Sequence, residues 1–146
     1  MYRDLWAGCR LLALGAALCG CGPRQAPAPA AQASFPAQAL VAVDSQSGRM
    51  HLEVRSAPQP PGRGLDAFRL TVTDAAGQRL TGLSIQVQPW MPNMGHGSSV
   101  TPSVTEVGAG SYDLGDVYLA MPGTWQLRIT LSDGQADSAT PSLQIP

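Results

Sequence analysis

The chain has 146 residues, nine arginines, no lysine and ten carboxylates, for a net charge of −1. That near-neutral balance, without a basic cluster, gives nucleic-acid binding no electrostatic support. The three cysteines, Cys9, Cys19 and Cys21, all lie at the start. The remainder therefore has no disulfide, no thiolate metal site and no cysteine nucleophile.

The chain opens Met-Tyr-Arg and continues "LWAGCRLLALGAALCGCG". A basic start, an apolar core of roughly a dozen residues and a small-residue end predict a secretory signal over residues 1–20. The run is too short and too interrupted by Arg10 for a membrane span of about 20 apolar residues. Its end, "LCGC" at Leu18–Cys21, resembles the bacterial lipobox. There the cysteine thiol takes a diacylglycerol, the peptide is cut just before it, and the new amino group is acylated, typically with palmitate. At about 0.8 kcal/mol per buried methylene, two or three such chains hold a protein on a membrane. The resemblance implies lipidation at Cys21 and a signal-bearing lipoprotein of the cell envelope facing the periplasm. No Asp follows Cys21, so the outer membrane is favoured over the inner one.

Residues 22–39, "GPRQAPAPAAQASFPAQA", are rich in proline, alanine and glutamine. They have too little apolar surface to order themselves, and their prolines favour extended chain. Residues 21–39 thus read as a lipidated, disordered tether, leaving 40–146 for one domain with a single core.

Strand-like alternation recurs through that domain. "MHLEV" puts Met50, Leu52 and Val54 on one face and His51 and Glu53 on the other. After the Pro/Gly cluster "SAPQPPGRG", "FRLTV" faces Phe68, Leu70 and Val72 inward. "LSIQV" does the same with Leu83, Ile85 and Val87. "SVTEV" and "SYDLGDVYL" are two further strands, the second losing its alternation at Gly115–Asp116, which predicts a bulge. "WQLRITL" faces Trp125, Leu127, Ile129 and Leu131 inward, and "TPSLQIP" closes the chain. "DAAGQ", "GAGS", "MPG" and "SDGQ" supply the turns. Period-two patterning with one wet face predicts an all-β protein: an immunoglobulin-like antiparallel β-sandwich of about 6–8 strands with Trp125 in its core.

One stretch stands apart from this pattern. "WMPNMGHG" at residues 90–97 gathers two of the five methionines and one of the two histidines. With Gln86–Pro89 leaving the strand and Pro92 unable to join a ladder, it reads as a loop leaving a strand end, turned by Gly95 and Gly97. Thioether sulfur is soft and favours Cu(I), and imidazole binds Cu(I) and Cu(II). Met91, Met94 and His96 would make an S₂N ligand set for copper, to which Met121 in the "AMPG" turn adds a third sulfur. Thioethers need no deprotonation, so acid would weaken such a site only through the imidazole. The competing reading is packing: methionine fills gaps, and Met91 and Met94 would then cap the sheet end near Trp125. His51 is read as a solvated strand residue. Catalysis has no support, because no nucleophile elbow, phosphate loop or carboxylate pair is present.

With these residues in view the domain resembles the YtkA-like family, related to FixH-type periplasmic domains. The likeness lies in "TVTDAAGQRLTGLSIQVQPWMPNMGHG" and "GAGSYDLGDVYLAMPGTWQLRITL", over about residues 66–132. It implies a strand pair joined by an Asp-x-x-Gly turn and an exported or membrane-attached sandwich, in settings where copper handling is a frequent suggestion. Its signatures fall on Met91, Pro92, Met94, Gly95 and His96, and on Met121, Gly123 and Trp125. FixH-type proteins often carry a spanning helix where this chain has a lipobox, so the likeness does not extend to a place inside an oxidase assembly complex. The sequence thus leaves two functions open: a copper-binding envelope lipoprotein, or a non-metal module that binds an envelope protein.

Overall fold

The structure is a computed structural model describing residues 33–146. The signal segment, Cys21 and the tether as far as Gln32 lie outside the described residues.

Ten strands form two antiparallel sheets. They are β1 (Val41–Asp44), β2 (Met50–Ala57), β3 (Gly64–Asp74), β4 (Ser84–Met91), β5 (His96–Gly97), β6 (Ser103–Gly108), β7 (Ser111–Leu119), β8 (Gly123–Ser132), β9 (Ala136–Ala139) and β10 (Ser142–Ile145). The first sheet runs β1-β2-β3-β7-β6. The second runs β10-β8-β4-β5, with β9 also pairing β8. The predicted antiparallel sandwich is therefore what forms. β1, β5 and β9 were not legible as strands, being two to four residues long.

The alternation read from the sequence sorts the core correctly. Met50, Leu52, Val54, Phe68, Leu70 and Val72 from the first sheet meet Trp125, Leu127, Ile129 and Leu131 from the second, all nearly inaccessible to solvent. Burying each such side chain contributes roughly 1.5–3 kcal/mol, which makes this face-to-face layer the dominant stabilising element. The expected bulge is present: the β3–β7 register slips between Asp66 and Phe68, which pair with Val117 and Leu114. Asp116 takes up the slack at φ 60°.

Two expectations change. The Asp-x-x-Gly turn does not join two strands of one sheet. Asp74 Oδ1 accepts from the Ala76 and Gln78 amides, and the turn closes a single bridge, Thr73 to Arg79. The chain then crosses to the second sheet. Tyr112 pins that crossing: its hydroxyl donates to Leu80 O at 2.9 Å and accepts from Leu83 N–H at 3.2 Å. The hydroxyl thus ties β7 of the first sheet to backbone 32 and 29 residues upstream, where the chain enters the second. Second, Gln86–Pro89 stay in the strand, which runs to Met91. Pro89 is tolerated because its backbone faces away from β8: its carbonyl accepts from Ser98 N–H, so no ladder donor is missing.

The two ends of the sandwich are fastened differently. At the β1–β2 end, Asp137 is buried. Its carboxylate accepts from Ser47 N–H, Ser47 O–H and Ser138 N–H, with an Arg49 nitrogen 3.8 Å away. The Ser47 hydroxyl is the largest cause holding the Asp137 carboxyl far below the usual carboxylate range, with the serine and backbone donors adding to it against burial. This cluster ties the first sheet's β1–β2 turn to β9 of the second. Among the described residues, the stretch before Leu40 meets the domain at Phe35 and at Ala37, whose carbonyl accepts from Arg55. The Arg69 guanidinium lies 4.4 Å from the Phe35 ring centroid and holds Asp113 through two hydrogen bonds.

Candidate metal centre

The other end of the sandwich is formed by the ends of β4 and β7 and the start of β8, and here the methionines gather. β4 presents Ile85, Val87, Pro89 and Met91 inward and Gln86, Gln88 and Trp90 outward. Met91 is thus the last inward residue of its strand and is 6% exposed. The chain reverses at once. Met91 O accepts from the Met94 and Gly95 amides, with Gly95 at φ +68°, and β5 returns with His96 opposite Met91 and Gly97 opposite Trp90. Gly97 is needed for close approach: a Cβ there would sit 2.9 Å from Pro89 O.

Directly opposed residues of an antiparallel pair project to the same face, with Cβ atoms about 4.5–5.5 Å apart. The register therefore puts His96 and Met91 on one side of the hairpin. His96 remains exposed, and its Nδ1 lies 3.1 Å from Gly97 O. Met121 arrives from the β7–β8 turn. Its side chain packs against the core, and its carbonyl accepts from Trp125 Nε1 at 2.9 Å. Gly123, two residues on, has φ +121°, and a Cβ on it would lie 3.0 Å from the Met91 methyl. The Met91 thioether is thus seated directly against the backbone of the turn that carries Met121.

Met94 is separate from this packing. It occupies the hairpin tip, 57% exposed, with no place in the core cluster. The packing reading therefore holds for Met91, and in part for Met121, but not for Met94, which does not cap the sheet end near Trp125. The structure brings Met91, His96 and Met121 to one end and leaves Met94 above them in solvent. Sequence reasoning missed the seat that Gly123 provides. The glycine in "MPG" reads only as a turn, and nothing in the residue pattern says which side chain fills the space its missing Cβ leaves. Among the described residues no group of three or more His, Cys, Asp or Glu side chains is placed to hold an ion; thioethers lie outside that donor set. His51 sits elsewhere, its Nδ1 2.8 Å from Asp44 Oδ1.

Fold and site together define a two-sheet antiparallel sandwich with a methionine-histidine hairpin at one end. The chain belongs to the YtkA-like family, whose model matches residues 44–130, more than half of it. Comparison with curated proteins and with solved structures finds no match.

Proposed function

We propose that this protein is a lipid-anchored envelope lipoprotein that binds copper through its β4–β5 hairpin, handling or buffering the ion without a catalytic step. The observation that carries the copper reading is the pairing of Met91 with His96 across the hairpin, with Met121 delivered to the same end by the turn packed on Met91. An exposed Met94 at the tip is a thioether available to an incoming ion without any core rearrangement. Three thioethers and an imidazole favour Cu(I) over zinc or magnesium. The anchor rests on the lipobox-like "LCGC" with Cys21 as the acceptor thiol, and the tether would hold the domain off the membrane on its periplasmic side.

Competition titration against a Cu(I) chelator, with zinc as control, tests this proposal. Tight Cu(I) binding that weakens in Met94→Leu/His96→Ala, with the thermal unfolding midpoint unchanged, supports it. Unchanged affinity in that folded double variant overturns it. The burial of Met91 favours a second reading, a non-metal interaction module whose hairpin is structural. In that case Cu(I) would compete no better than zinc.

A further inference from the structure

The sandwich has a flank that its own strands do not close. β5 pairs only with Trp90 and Met91, so the stretch Ser84–Pro89 of β4 has β8 on one side and no strand of the described residues on the other. The direction of its backbone follows from Pro89 and Met91, whose carbonyls accept from Ser98 and from the hairpin tip. Strand residues two apart point their amide and carbonyl the same way. The N–H and C=O groups of Ile85 and Val87 therefore face outward along this edge. Beside it runs a cleft of about 740 Å³ between β4 and β6, bridged by the Ser98–Pro102 crossover and lined by Ile85, Val87, Val100 and Val104 on its apolar side.

Other sheet edges in the molecule are blunted. β1 has four residues. The β9–β10 edge is interrupted at Pro141. β6 carries Glu106 and a register slip between Glu106 and Gly108. Short strands, charges, bulges and prolines are the usual protections against strand addition. Ser84–Gln88 has none of them until Pro89. The sole charged residue lining the cleft is Arg128. Its guanidinium lies 4.0 Å from the Trp90 ring centroid. Arg49, Arg55 and Arg69 each pair with a carboxylate, but Arg128 has no carboxylate partner among the described residues, although it has five N–H donors to offer.

We infer that the β4 edge is a docking site for an extended polypeptide segment of a partner protein, added as a further strand of the second sheet. Its alternate apolar side chains enter the cleft over Ile85 and Val87, and a carboxylate on its other face meets Arg128. Main-chain hydrogen bonds to residues 85 and 87 supply the attachment, and Arg128 supplies the preference for acid. This site is separate from the methionine hairpin and stands whether or not copper binds there.

The test uses the full chain in mild detergent and an array of end-capped, fluorescent hexapeptides alternating Val with Thr, carrying Glu, Gln or Lys at one central polar position. Fluorescence anisotropy is expected to rank Glu above Gln above Lys, with about fivefold between the extremes for a partly exposed ion pair. Arg128→Glu reverses that order, and full N-methylation of the peptide abolishes binding. Equal binding of the Glu and Lys peptides, binding that survives N-methylation, or no binding of any peptide at millimolar concentration overturns the inference. Sedimentation showing a dimer that Ile85→Pro dissociates also overturns it, in favour of a second copy on the same edge.

Discussion

At the β1–β2 end of the sandwich, polar groups are spent on fastening. Asp137 takes three hydrogen bonds from Ser47 and Ser138, and the Tyr112 hydroxyl bridges Leu80 and Leu83. At the β4–β5 end, the side chains are soft or loosely held: a seated thioether at Met91, an exposed one at Met94, and an exposed histidine whose Nδ1 lies 3.1 Å from Gly97 O. A buried carboxylate that already accepts three hydrogen bonds has little capacity left for a ligand. Thioethers fill space by shape and keep their lone pairs, so one residue type can serve packing and binding together. The proposed copper ligands all come from the end whose side chains are fastened mainly by van der Waals contact.

The sharpest way to break this contrast is to remove a fastening at each end. Met91→Ala empties a seat that the fold has built against Gly123, and a loss of about 3 kcal/mol of stability is expected from urea unfolding. A loss under about 1 kcal/mol would mean that the hairpin end is not integral to the core. At the other end, Asp137→Asn weakens donors aimed at a charge, with about 2 kcal/mol expected. Its pH dependence is specific. The folded carboxyl ionises far below the ordinary value, so its contribution is complete above the unfolded value near 4 and fades as the pH falls toward the folded one. Unfolding midpoints measured from pH 6 to pH 2.5 are expected to drop less steeply in Asp137→Asn than in the parent. Parallel curves would show that Asp137 is not the acid-sensitive fastening.

A milder substitution probes the seat itself. Gly123→Ala adds a methyl against the Met91 methyl at a φ that side chains rarely adopt, and about 1 kcal/mol of destabilisation is expected. Met91→Val combined with it makes room and is expected to recover part of the loss attributable to the clash. Failure of the pair to couple would place the whole cost in the backbone.

What the sequence made legible follows from the range of the forces involved. Alternation is local, so the inward faces of β2, β3 and β8 and the burial of Trp125 could be read residue by residue. The bulge was legible too, because Gly115–Asp116 breaks that alternation in place. The fate of Pro89 was not. Whether a proline ends a strand depends on which side its missing donor faces, and that is set by β8, about forty residues later in the chain. β5 was invisible for the same reason: two residues carry no period, and only the close approach at Gly97 makes them a strand. The Asp137 fastening joins residues 90 apart in sequence, and nothing near "ADSA" announces it. Of the candidate site, the residue types were legible. The division between a seated Met91 and an exposed Met94 was legible only in outline: Met94, between Asn93 and Gly95, has no alternation to join, but nothing local shows the seat that Gly123 offers Met91.

That division yields the smallest stability effect and the most discriminating one. Met94 is 57% exposed and outside the core cluster, so Met94→Ala is expected to change unfolding stability by less than about 0.5 kcal/mol. If Met94 closes a copper site over Met91 and His96, the same substitution weakens Cu(I) binding by about tenfold or more, the scale on which metal sites respond to lost support. A residue that matters to the ion and not to the fold is the signature of a ligand, whereas a packing methionine costs stability first. Should Met94→Ala instead destabilise the domain by about 2 kcal/mol with Cu(I) affinity unmoved, the hairpin end would be a second fastening made of sulfur. Its contrast with the Asp137 end would then be one of chemistry alone.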